Sequence, residues 1–235
     1  IPKKTSVQFE GEGIGEFVIS GWTPETKKYT LDWTGKVINE YIAFVDRQKE
    51  YEEIVAGLLK KENNNILLVG DPGIGKEALI RELAYRSFIG TIEPGLQYKR
   101  LLELMVGQLI AGAANANDFE ARLQSIIDEV SHARNIFLYI PEFQDILGSS
   151  NFHISLSGAL LPYLKAGNLP VIATMTKGNY KAYMEENALH EVFEVVELDE
   201  PGASLALQML FQHVTSIEKK YRVKITFKAI FKAVS

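Results

Sequence analysis

Ile66-Leu67-Leu68-Val69-Gly70-Asp71-Pro72-Gly73-Ile74-Gly75-Lys76-Glu77 is the stretch that decides the fold. Four apolar residues bounded by turn formers predict a strand buried on both faces. Residues 78–88 continue as a helix with Leu79, Ile80 and Leu83 inward. The loop between them fits G-x-x-x-x-G-K-[ST] at every position except the last. Such a loop aims backbone N–H groups and a helix N-terminus at a phosphate chain, and its lysine reaches the terminal phosphates. The cofactor-binding candidates are therefore Gly70, Asp71, Pro72, Gly73, Ile74, Gly75, Lys76 and Glu77. Glu77 stands where a hydroxyl would ligate Mg²⁺. Two readings of it are open: a carboxylate favoured at a helix start, or one that takes the place of a phosphate and pairs with Lys76. Both put a fixed negative charge beside a polyanion site.

Upstream, Tyr51, Ile54, Val55, Leu58 and Leu59 predict a helix over 46–61, ended by Asn63-Asn64-Asn65. Residues 1–27, rich in Gly, Thr and Glu with partial alternation, read as short strands or a hairpin. Downstream, helices are expected over 98–110, 118–130, 156–166 and 180–189, and strands over 135–140, 171–176 and 193–198. An amphipathic, mostly helical tail follows from residue 203, broken at 223–227. Strands alternating with helices specify an α/β fold with a mainly parallel sheet flanked by helices, carrying ligand at the C-terminal strand ends. Residues 1–28 are read as an N-terminal extension, 29–201 as the P-loop domain and 202–235 as the start of a helical lid.

The whole-chain numbers narrow the function. With 235 residues, 46% hydrophobic and 23% charged, the composition is that of a globular protein. A net charge of −5 offers no broad footprint for nucleic acid, and no basic stripe is interleaved with the aromatics. There is no cysteine, which excludes disulfides and thiolate chemistry and is compatible with a reducing, cytoplasmic setting. No apolar run approaches the ~18 residues of a membrane span. The four histidines lack metal-ligand spacing, so no metal site is assigned to them. The chain opens on Ile1 without Met and stops at Ser235 in a helix-like run, which reads as a fragment.

A P-loop ATPase needs a second acidic element, a strand-end Asp for Mg²⁺ followed in many families by a Glu that polarises water. Here the strand ends in Pro141-Glu142. Proline has neither charge nor backbone N–H, so it cannot do the work of the Asp. Glu142 is either the base or a plain loop carboxylate, and Asp145 is a displaced ligand candidate.

These motifs together resemble the first ATPase module of the Clp-type AAA+ unfoldases and disaggregases. The loop and its strand look like that family's Walker A. Tyr29-Thr30-Leu31-Asp32-Trp33-Thr34 resembles the lead-in, and Phe44-Val45-Asp46-Arg47 the stretch beside adenine. Residues 109–123 are similar to the pore-loop region, 136–148 to Walker B and 172–193 to the sensor-1 strand and following helix. The resemblance implies Phe44 and Val45 at the adenine of ATP or ADP, Lys76 at the phosphates, and Glu142 and Thr176 as catalytic glutamate and sensor. It further implies a homo-oligomeric, hexameric ring acting on protein substrates or beside a protease partner. The departures are as informative. Glu77 replaces the Walker A threonine and Pro141 the Walker B aspartate. Glu191 and Val192 fall at the paired arginine fingers, and Asn115 falls at the pore-loop aromatic. Mg²⁺ binding, trans activation and substrate grip are each hit while the core pattern is kept. The expectation is a degenerate module with weak or absent hydrolysis, an impaired ATPase. The alternative is an active Mg²⁺-ATPase in which Glu142 and Asp145 compensate.

Overall fold

The computed structural model describes residues 23–34, 37, 47–147, 156–167 and 169–234. In chain order α1 (Pro24–Tyr29), β1 (Thr30–Asp32), α2 (Gln48–Leu58), β2 (Asn65–Val69), α3 (Lys76–Ile89), β3 (Arg100–Leu104), α4 (Val106–Gly112) and α5 (Ala116–Ala133) come first. Then follow β4 (Ile136–Ile140), α6 (Gln144–Leu147), α7 (Leu156–Lys165), β5 (Val171–Met175), α8 (Lys177–Tyr183), β6 (Phe193–Glu197), α9 (Ala203–Tyr221) and α10 (Phe227–Val234).

The strands form one six-stranded sheet in the order β1-β3-β4-β5-β2-β6. All neighbours are parallel except β1, which runs antiparallel to β3. β2, β4 and β5 are buried at every residue, as strands covered on both faces must be. Side chains alternate along β2. Ile66 and Leu68 join Ile54, Val55 and Leu58 of α2 and Leu79, Ile80 and Leu83 of α3 on one face. Leu67 and Val69 join Phe119, Leu123, Ile126 and Ile127 of α5 on the other. The result is a sheet between two helical layers, as the apolar strands predict.

Three expectations are corrected. Residues 98–110 are not one helix: 100–104 form β3, and only 106–112 are helical. Leu101, Leu102, Met105 and Leu109 have helical spacing, but pairing of Leu101 with Phe137 and Leu102 with Leu138 sets the backbone instead. β1 is not among the expected strands, because three residues held by register against Leu102–Leu104 carry almost no local signal. Pro24–Tyr29 is a helix, which short strands or a hairpin over 1–27 does not include, with Pro at its first turn. The Glu129 carboxylate of α5 accepts from the backbone N–H groups of Glu25 and Thr26, at 3.1 and 2.8 Å, and so caps that turn. The rest of the expected N-terminal hairpin lies outside the described residues.

Candidate functional site

The loop from Gly70 to Gly75 leaves the C-terminal end of β2, which is fastened on both sides. The Gly70 N–H donates to the Met175 carbonyl at 3.1 Å, and the Leu198 N–H donates to the Val69 carbonyl at 2.7 Å. A Cβ at Gly70 would lie 3.0 Å from the Leu198 carbonyl oxygen, so a side chain there would have to push the end of β6 aside by a few tenths of an ångström. Gly73 and Gly75 have φ of 80° and 105°, in the left-handed region that favours glycine. Asp71, Pro72 and Gly73 are exposed, so the cradle opens to solvent. No side chain caps α3 at Gly75, which leaves its first-turn amides and the positive end of its dipole to an anion or solvent.

Lys76 is buried under this loop and donates to the Gly70 and Asp71 carbonyls at 2.6 and 3.1 Å. Burial pulls its ammonium below the usual lysine range, and the charges of Glu142, Asp71 and Glu77 oppose that shift. The fold thus places Glu142, at the end of β4, near enough for its charge to act on Lys76 from across β5. Glu77 does not pair with Lys76. Its carboxylate is two-thirds exposed and lies 3.9 Å from the Arg81 guanidinium one turn along α3. Arg81 in turn stacks over the Trp33 ring at 5.4 Å.

Glu142 occupies φ of 44°, a left-handed conformation uncommon for a residue with a side chain. The turn is held by Thr174 of β5, whose hydroxyl accepts from the Glu142 N–H at 3.2 Å and whose carbonyl accepts from the Phe143 N–H at 2.9 Å. The Glu142 carboxylate accepts from the Gln144 side-chain amide at 2.7 Å. Burial, then the charge of Glu142, raises the Asp145 carboxyl above its ordinary value. Among the described residues no three His, Cys, Asp or Glu side chains converge as metal ligands.

Thr176 follows β5 and caps α8, its hydroxyl accepting from the Asn179 N–H at 3.2 Å. Phe44 and Val45 lie outside the described residues. Of the positions matched to the arginine fingers, Val192 is fully buried and Glu191 exposed. Asn115, at the pore-loop aromatic, is the N-cap of α5 and accepts from the Asp118 N–H at 3.0 Å, while the Asp118 carboxylate accepts from the Ala114 N–H at 2.9 Å. Sequence reasoning missed two groups that shape the site, Thr174 and Arg47. Thr174 reads as one more residue of an apolar strand. Arg47 lies in the stretch that resembles the one beside adenine, where a lone cation before a helix carries no signal of its buried partners.

No protein-family model matches the chain. The chaperone protein ClpB of Helicobacter hepaticus is 34% identical over 236 residues, covering 98% of this chain and 28% of that protein. This chain is a Clp-type AAA+ module. It spans about a quarter of the length of the curated relatives it matches. The module also superposes on Saccharomyces cerevisiae Hsp104 in an ADP complex, with a TM-score of 0.79 and 28% identity over 88% of this chain and 36% of that one. The Hsp104:casein complex gives a TM-score of 0.78, again with 28% identity, over 89% and 36%. No helix among the described residues is long and apolar enough to cross a membrane.

Proposed function

We propose that this Clp-type module holds ADP or ATP weakly without turning it over, and serves as a structural or regulatory domain of a ring-forming chaperone. One contrast carries the reading. The phosphate cradle is complete, with left-handed Gly73 and Gly75, an uncapped helix and a buried lysine. The Mg²⁺ donors of a P-loop site do not fit: Glu77 is turned toward Arg81, and Pro141 has no side-chain donor. Glu191 and Val192 at the arginine-finger positions and Asn115 at the pore-loop position support the same direction, since neither trans activation nor grip on a polypeptide has its side chain. Domain limits at 29–201 and 202–235, a first-module position, a hexameric ring, protein substrates of the kind in the Hsp104:casein complex and a cytoplasmic setting belong to this proposal.

The test is phosphate release by purified protein with Mg²⁺ and ATP, run beside a titration with a fluorescent ADP analogue with and without Mg²⁺. Binding without turnover is expected. Steady turnover abolished by Lys76→Ala would overturn the reading and favour an active ATPase using Glu142.

A further inference from the structure

Arg47, immediately before α2, is 4% exposed. Its Nη2 donates to two main-chain carbonyls far apart in sequence, Ile74 in the glycine-rich loop (3.3 Å) and Asp199 just past β6 (2.8 Å). Its Nη1 donates to the Glu50 carboxylate at 3.0 Å. Its Nε is buried with no hydrogen-bond partner. Taking a guanidinium out of water costs several kcal/mol, and this one is not fully repaid by its partners. Packing alone would be served as well by an apolar side chain. What the guanidinium supplies is a fork that joins the loop at Ile74 to Asp199, beyond the Leu198–Val69 hydrogen bond that already ties the base of the loop to the end of β6.

Both segments matter to a nucleotide. Ile74 lies between Gly73 and Gly75, so holding its carbonyl holds the left-handed turn that aims the loop amides. Asp199 lies between β6 and α9, and its carboxylate also takes Lys177 of α8 at 2.6 Å. We propose that Arg47 is a positioning residue for nucleotide, stapling the glycine-rich loop to the segment that enters α9, so that occupancy of the loop and order of that segment are coupled. This rests on the nucleotide-holding reading above. A lysine cannot reproduce the staple, because its single ammonium lacks the planar fork.

The experiment compares wild type with Arg47→Gln and Arg47→Lys, using Asn65→Ala as a control that weakens the fold away from the loop. Two readouts are taken: affinity for a fluorescent ADP analogue, and backbone hydrogen exchange at 72–75 and 199–203 with and without ADP. Arg47→Gln is expected to weaken binding about tenfold or more, Arg47→Lys less, and Asn65→Ala not at all. In the nucleotide-free protein Arg47→Gln should speed exchange at both segments together. ADP should slow exchange at 199–203 in wild type and leave it unchanged in Arg47→Gln. Wild-type affinity in Arg47→Gln, or equal loss in Asn65→Ala, overturns the proposal. If wild type takes up no nucleotide, the nucleotide-holding reading and the coupling to occupancy both fall. If wild type binds but the two segments exchange independently of Arg47, only the staple falls.

Discussion

Replacing Glu77 with Thr should tighten nucleotide binding while slightly destabilising the free protein. Two unit charges at ~4 Å interact by about 1 kcal/mol in water and about 4 kcal/mol at the effective dielectric near a protein surface. Glu77 is 67% exposed and its carboxylate is 3.9 Å from Arg81, so screening and the neighbouring cation put the repulsion at the lower end, about 1 kcal/mol. That corresponds to a gain in affinity of about fivefold. The free protein moves the other way. An acid in the first turn of α3 interacts well with the helix dipole, by about 0.3–1 kcal/mol, and the spacing to Arg81 contributes about 0.2–0.5 kcal/mol. The assay is a titration with the fluorescent ADP analogue at low and high salt, beside a thermal melt. The affinity gain should shrink as added salt shortens the Debye length. Unchanged affinity, or a gain insensitive to salt, would refute the electrostatic argument.

Asn65→Ala should lower stability by about 2–4 kcal/mol. The buried Asn65 amide donates to the Leu164 and Val192 carbonyls at 3.0 Å each and accepts from the Val171 N–H at 3.2 Å, so denaturant unfolding checks three lost bonds at once. Asp118 predicts an acid dependence. The Ala114 N–H and then Arg122 hold its carboxyl below the ordinary value of 3.8. Because the folded value is depressed, its contribution is fully present above the ordinary value and is lost as pH falls through the lowered one. The melting temperature of Asp118→Asn should therefore lie below wild type at neutral pH, and the gap should close in acid. A constant gap would show that the charge is not the cause.

The phosphate loop and its flanking elements were legible because each depends on neighbours in sequence. Gly73 and Gly75 supply conformations that other residues resist, Ile66–Val69 is apolar throughout, and Lys76 follows at the start of the helix. The same is true of Glu77 and Pro141 as residue types, since which side chain stands at each position is independent of conformation. The alternating strands and helices likewise announced the layered α/β fold.

Other features exist only through pairing across the chain. β3 has an apolar spacing that also suits a helix, and its partners in β4 and β1 decide between the two. Whether Glu77 met Lys76 or Arg81 depended on where the α3 side chains point, and it turned outward to Arg81. The charge of Glu142 acts on Lys76 because β4 and β2 flank the same strand, β5. Arg47 shows the division most sharply. In sequence it is one cation before a helix; in the fold it is buried between Ile74 and Asp199. Local sequence determined the loop, its helix and the residue types that line it. Only tertiary structure decided the partners of its charged groups, because a charge is committed by which acceptors are near once water has been excluded.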